Sequence, residues 1–294
     1  MQNLINLLNQ SIINRGISET VKRSRCIIER YGLVRKKLYP NMKFLSKTLQ
    51  EYDINATISI TSNVLSHNTD ILGVIDIDRI ELAVHGCYHV DYTKLSAEKI
   101  ASHLKRAIEI FKENNINAYG FRAPYLKVND TVLKAIGYAG MMYDSSLPIY
   151  FDTISKESPK YPLVDKIIKL YDIRNNSPRL LKIEQILEIP VALPDDEILV
   201  DRLNFGPKQV SKCWIDSINM CMKTEGGIFV LQLHPERISL LKDSLIDVIN
   251  WAVRNNIQIR SLEDIVKSGT RPGSHYMAIT GDIDIITLSD IIRD

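Results

Sequence analysis

The chain has 294 residues, 45% hydrophobic and 24% charged, a composition that excludes intrinsic disorder and supplies a sizeable core. Its 37 basic and 35 acidic residues leave a net charge of +2, which gives no basic footprint for nucleic acid. No run of about 18 apolar residues exists to span a bilayer, so no transmembrane segment is expected. The four cysteines, Cys26, Cys87, Cys213 and Cys221, form no C-x-x-C pair and read as reduced structural thiols. The N-terminus lacks the basic start and unbroken apolar core of a signal peptide, so the expected location is cytoplasmic.

Short apolar runs recur between amphipathic segments, the rhythm of a repeated β/α unit. Strands are predicted at 26–28, 56–60, 80–84, 118–121, 187–191, 228–233 and 257–259, with helices over 40–52, 96–114, 208–223 and 240–254 between them. The first of these helices places Met42, Leu45, Leu49 and Tyr52 on one side, and the second opens on a capping box at Ser96. Seven strands, each followed by a helix or long loop, favour one barrel-like parallel sheet over two independent domains. The stretch 145–178 is too long for a plain connection and is expected to shape a binding face. From 274 onward the apolar alternation around Gly281-Asp282 reads as a hairpin or strand with a final helical turn. Asp282 and Asp284 there are read as ordering a loop or serving a contact in a homo-oligomer. The expected division is a barrel over 1–270 and a C-terminal extension over 271–294.

Four constellations carry possible chemistry. His85 and His89 lie four apart where the strand 80–84 ends, and they are expected to close on one metal ion from a single helical turn, with Asp91 two residues on as a carboxylate ligand or as a partner that orients an imidazole. The bland alternative leaves Tyr88 and His89 packed on the barrel rim. Arg122, directly after a strand, needs a carboxylate partner to be tolerated there, and Pro124 stiffens its turn; an ordinary buried salt bridge is the competing reading. His234 leaves a near-continuous apolar strand at a proline, a position suited to a general acid. Asp195 and Asp196 end the segment beginning at Glu188 and could bind metal, base or sugar hydroxyls, or merely cap the next turn.

Together these resemble the polysaccharide deacetylases, the NodB-type fold of carbohydrate esterase family four, over roughly 25–267. The matching motifs are His85-Gly-Cys-Tyr-His89 for the family's His-[Ser/Thr]-x-x-His, Arg122-Ala-Pro-Tyr125 for Arg-x-Pro-[Tyr/Trp], Tyr143-Asp-Ser-Ser146, and Leu-Gln-Leu-His234 for Leu-x-His. The resemblance implies a distorted (β/α)7 barrel, here with a short C-terminal extension, a metal held by the two histidines, an arginine orienting the base, and His234 as catalytic acid. The family's first motif, Thr-Phe-Asp-Asp, has no literal counterpart on the expected first strand. Glu29 falls at its base and Arg30 at its metal-binding aspartate. Arginine has only donors and cannot ligate a cation, so the third ligand is sought elsewhere, at Asp91 first and at Glu29 or Asp195 behind it.

The function implied is removal of an N-acetyl group from an amino sugar in a glycan or glycan precursor. A divalent metal, Zn²⁺ by the donor set, polarises the carbonyl, Glu29 takes the proton of water, Arg122 aims Glu29, and His234 protonates the leaving amine. Tyr88, Pro124, Tyr125, Asp195 and Asp196 are expected to line the sugar site. Two other readings stay open: a degenerate glycan-binding homologue, and a metal-dependent hydrolase of another C–N amide.

Overall fold

A computed structural model describes residues 38–171, 173, 177–287 and 290. The expected strand at 26–28 and the proposed base Glu29 lie outside the described residues.

Helix α1 (Leu38–Tyr52) buries Leu38, Met42, Leu45 and Leu49, as the apolar spacing requires, and each such side chain contributes about 1.5–3 kcal/mol of transfer free energy. Strand β1 (Ala56–Ile60) follows, then α2 (Ser62–His67) and β2 (Ile80–Val84). Helix α3 (Ala97–Glu113) starts at Ser96, whose hydroxyl accepts from the Lys99 amide at 3.3 Å. Beyond it come β3 (Gly120–Phe121), α4 (Asp130–Tyr138) and β4 (Tyr143–Asp144). The long stretch expected as a loop contains β5 (Pro148–Tyr150) and α5 (Tyr161–Ile168), and is followed by β6 (Leu181–Ile183) and β7 (Ile186–Glu188). The strand predicted over 187–191 is broken at Ile189-Pro190, where Pro190 has no ladder donor, and the chain resumes as β8 (Val191–Leu193). A π-helical turn (Glu197–Arg202) separates β8 from α6 (Pro207–Cys221); β9 (Ile228–Leu233), α7 (Ile238–Arg254), β10 (Gln258–Ile259), α8 (Leu262–Ser268) and β11 (Tyr276–Ile283) complete the chain.

The central sheet runs β9-β11-β1-β2-β3-β4-β7, every one of these pairs parallel, with β6 antiparallel at the β7 edge and β10 alongside the start of β11. A separate β5–β8 pair packs its second strand against β9. This is the mostly parallel α/β architecture expected of a distorted (β/α)7 barrel. Among the described residues the strand ladder does not close, because β8 and β9 pack without a hydrogen-bonded register.

The tail, expected as an appended hairpin or strand, is a strand, but one that fills the place between β1 and β9 inside the sheet, and all eight of its residues are buried. Gly281, read from sequence as a turn residue, is there because space is short: a Cβ on it would meet Ile58 Cδ1 at 2.8 Å and Pro235 Cγ at 3.1 Å. Chain order and spatial order therefore differ, the last strand standing next to the first described one. No helix among the described residues is long and apolar enough to cross a membrane.

Candidate active site

The parallel strands β9, β11, β1, β2 and β3 bring their C-terminal ends to one rim, and the functional side chains gather there. His85 follows β2 directly and is buried. Its Nδ1 lies 2.9 Å from the Arg122 carbonyl oxygen, which can only accept, so Nδ1 carries the proton and Nε2 presents its lone pair. Gly86 takes φ +78°, and a Cβ on it would strike the Tyr92 ring at 2.8 Å, which accounts for glycine at a position where a hydroxyl residue was expected. The run from Gly86 to His89 is a bend, not the helical turn expected. It nonetheless sets the two imidazoles with centroids 5.3 Å apart.

The carboxylate between them belongs to Asp284. Its Oδ1 lies 3.3 Å from His85 Nε2 and 3.5 Å from His89 Nε2, and the three ligand atoms lie within 4.8 Å of one another. Asp91, the first choice from sequence, does not join them: its Oδ1 accepts from the Thr93 amide at 3.1 Å and Thr93 Oγ1 at 2.5 Å, and its Oδ2 pairs with Lys94 and Lys127 at 3.5 and 3.8 Å. Asp91 caps a turn because an acid two residues before a free amide closes that ring locally. Burial alone would raise the Asp284 carboxyl, but the charges and hydrogen bond of His89 and His85 hold it far below the usual carboxylate range. For His85 burial favours the neutral ring, and Asp282 and Asp284 outweigh it and raise its proton affinity. The two imidazole nitrogens and the carboxylate oxygen form a donor set of a kind that could hold a metal ion.

Asp282, two residues earlier near the end of β11, is also buried. Its Oδ1 lies 3.3 Å from Arg122 Nη1, and its Oδ2 accepts from Gln232 Nε2 at 2.6 Å. Arg122 is wholly buried and its remaining donors are satisfied: Nε to the Ser145 carbonyl at 2.8 Å, Nη2 to Ser145 Oγ at 2.9 Å, and Nη1 also to Thr280 Oγ1 at 2.8 Å. The carboxylate that Arg122 was expected to find in Glu29 is thus supplied, among the described residues, by Asp282. The segment Tyr143-Asp-Ser-Ser146 supports this arginine from below, with Ser146 Oγ accepting from the Ala123 amide at 2.8 Å and donating to Asp144 at 2.6 Å. There, burial pushes Asp144 up to about 6 against the lowering effect of hydrogen bonds from Glu188 and Ser146, and burial together with the Asp144 charge raises Glu188 well above the usual carboxylate range.

His234 leaves β9 on the other side of β11. Both oxygens of Asp196 serve it, one accepting from its backbone amide at 2.7 Å and the other from Nδ1 at 2.6 Å. Burial lowers the affinity of this imidazole for its proton, but the Asp196 charge and hydrogen bond prevail and push its pKa up to about 10. The ring is therefore cationic at neutral pH, with Nε2 as its remaining donor. Asp195, Asp196 and His234 also form a compact group of potential ligands, but the 2.6 Å contact already closes it as an acid–base pair. Asp196, expected to meet sugar hydroxyls, is thus spent on His234. Asp195 accepts from the Ile198 amide at 2.9 Å and starts the π-helical turn; burial and its neighbour Asp196 push it up to about 7.

Among the expected sugar-site residues, Tyr125 is 52% exposed and stands edge-on to the His89 ring at 4.6 Å. Its φ of +61°, unusual for a bulky residue, follows the turn begun by the buried Pro124. Tyr88 is half-buried against His103 of α3, ring centroids 5.1 Å apart. Sequence reasoning missed Asp282, Asp284, Thr280 and Gln232 as site residues. The available signal was the two-residue spacing of Thr280, Asp282 and Asp284, which puts all three on one face of a strand.

Residues 39–143 match the model of the polysaccharide deacetylase family. Solved structures share the fold. A protein assigned as a polysaccharide deacetylase from Mycobacterium smegmatis is 18% identical, with 88% of this chain and 82% of that one covered at a TM-score of 0.60. An allantoinase is 16% identical over 77% of this chain and 71% of its own, at 0.57. A carbohydrate esterase family four pseudoenzyme from Bacillus anthracis is 13% identical over 81% and 65%, at 0.51. No curated protein sequence matches the chain. The resemblance read from the motifs is thus met by a family-model match over residues 39–143 and by a fold shared with solved polysaccharide deacetylase structures.

Proposed function

We propose that the protein is a metal-dependent hydrolase that removes an N-acetyl group from an amino sugar in a glycan or glycan precursor. The observation that carries this reading is the pair of acids at the end of β11: Asp284, just past the strand, closes on His85 and His89, while Asp282, two residues earlier, is held by Arg122. His85, His89 and Asp284 would hold the metal, zinc by donor type. When bound, the cation supplies positive charge that polarises an acyl carbonyl and makes a water molecule more acidic. Asp282 accepts the proton of the attacking water, and Arg122 and Gln232 hold its carboxylate in place and aim it. His234 donates from Nε2 to the departing amine, leaving acetate and a free amino sugar. Tyr125 offers a half-exposed ring for sugar stacking beside His89, with Tyr88, Pro124 and Asp195 as further candidates for the sugar site.

The degenerate alternative drew its force from Arg30 standing where an aspartate was expected; a pseudoenzyme shares the fold, and the grouping of His85, His89 and Asp284 supports the hydrolase reading over it. Hydrolysis of another C–N amide uses the same groups, and an allantoinase shares the fold. Purified protein with zinc should release acetate from N-acetylated chitooligosaccharides, sugar nucleotides or lipid-linked sugars. Release from none of these, with hydrolysis of a cyclic ureide instead, would replace the deacetylase reading by the second one.

A further inference from the structure

The segment after β8 and the segment after β9 meet at two points. At the first, Asp196 holds His234. At the second, Asp201, on the π-helical turn, binds Arg237, the last residue of the 3-10 turn Pro235–Arg237, through Nη2 and through Nε at 3.3 Å. Asn41 of α1 fixes that turn by donating to the Pro235 and Glu236 carbonyls at 2.9 and 3.2 Å. Arg237 is 3% exposed, and its third nitrogen, Nη1, is buried without a hydrogen-bond partner. It lies 3.9 Å from Asp196 Oδ2 and 3.7 Å from Glu236 Oε1, close enough for charge to act and too far to take a lone pair.

We propose that Arg237, restrained by Asp201, is a positioning residue that acts through Asp196 to set how firmly His234 keeps its proton. The catalytic meaning of this rests on the hydrolase reading above. A guanidinium cannot lose its proton, so its charge is permanent. Set at 3.9 Å in a buried environment, it draws on the Asp196 charge while leaving both Asp196 oxygens to His234. Asp201 supplies the restraint: without it, Nη1 would close the gap and compete with the imidazole for the same carboxylate. The other charged groups facing His234 are Asp195, Glu236 and Asp284. These stay in place when Arg237 or Asp201 is changed.

The test is a pH titration of the His234 ring by NMR on full-length protein carrying ¹³C-labelled histidine, the signal assigned by its absence in His234→Gln. Arg237→Met should raise the His234 midpoint by about one pH unit, a tenfold gain in proton affinity, and Arg237→Lys should return it towards the wild-type value. Asp201→Asn should move it the opposite way, because the released guanidinium turns onto Asp196. An unmoved midpoint in folded Arg237→Met overturns the proposal, and where that variant fails to fold, an unmoved midpoint in Asp201→Asn does so. The titration needs no substrate, so its result stands apart from the hydrolase assay: shifted midpoints in a protein that hydrolyses nothing would sink the function and leave this coupling intact.

Discussion

Two ends of the same sheet treat a buried carboxyl group in opposite ways. At the rim, Asp282 and Asp284 stand among a guanidinium and two imidazoles. At the start of β2, four residues before His85, Glu81 meets only neutral donors: Tyr143 OH at 2.6 Å, Thr57 Oγ1 at 2.7 Å and the Glu263 amide at 2.9 Å. Burial dominates there and pushes Glu81 up to about 7, while His89 and His85 hold the Asp284 carboxyl far below the usual carboxylate range. Burial alone therefore does not mark a functional acid in this fold. What marks it is a cation within reach and a strand end to stand on.

The sharpest way to break the comparison is to remove the strand that carries the rim acids. Truncation after residue 273 should leave no cooperative thermal transition by circular dichroism, because β11 pairs with both β1 and β9 in the middle of the sheet. A truncated chain that still melts cooperatively would restore the reading of an appended extension. Next in size, Asp282→Asn should lower acetate release about 10²- to 10⁴-fold, the range for a lost general base, with bound zinc unchanged. Asp91→Asn, altering only a turn cap, should leave both nearly as they are. Arg122→Met would strand Asp282 and is expected to destabilise the fold by about 3–5 kcal/mol in urea unfolding, the cost of breaking a buried pair from one side. Comparable stability in that variant would mean that Gln232 alone satisfies the carboxylate.

The smallest effect concerns the other end. Glu81 binds its proton more tightly folded than unfolded, so between about 4.5 and 7 the native state holds more protons. Stability from this group is complete below that window and falls as pH rises through it, by roughly 2–3 kcal/mol. Glu81→Gln imitates the neutral acid and should flatten that part of the stability profile measured by urea midpoints across pH 5 to 8. An unchanged slope would show that Tyr143 and the amide donors suffice to hold Glu81 charged.

Much of this was legible in the residues. The periodicities that predict α1, α3, α6 and α7 hold because each helix buries one apolar stripe, and the histidine pair, Arg122 and His234 all sit at strand ends as their neighbours imply. The third acid was not found, for a physical reason. Asp91 is near the histidines along the chain, but nearness in sequence favours the local ring with Thr93. Asp284 is 195 residues from His89 and arrives through the parallel pairing of β11 with β1, a contact no local pattern encodes. Gly281-Asp282 carries the composition of a turn, and only the close approach of Ile58 and Pro235 shows why a strand needs glycine at that point. Glu29 and Arg30, assigned on the assumption that the first motif precedes the first helix, lie outside the described residues, and the candidate acids that the structure brings to the rim come from the other end of the chain.

The account turns on which carboxylate completes the site, and anomalous diffraction at the zinc edge from zinc-loaded crystals measures that directly. The prediction is a single peak ligated by His85, His89 and Asp284, with Asp282 turned to Arg122 beside it. A peak coordinated by Asp91, or histidines that hold no zinc while Asp284 stays hydrogen-bonded to them, would contradict it.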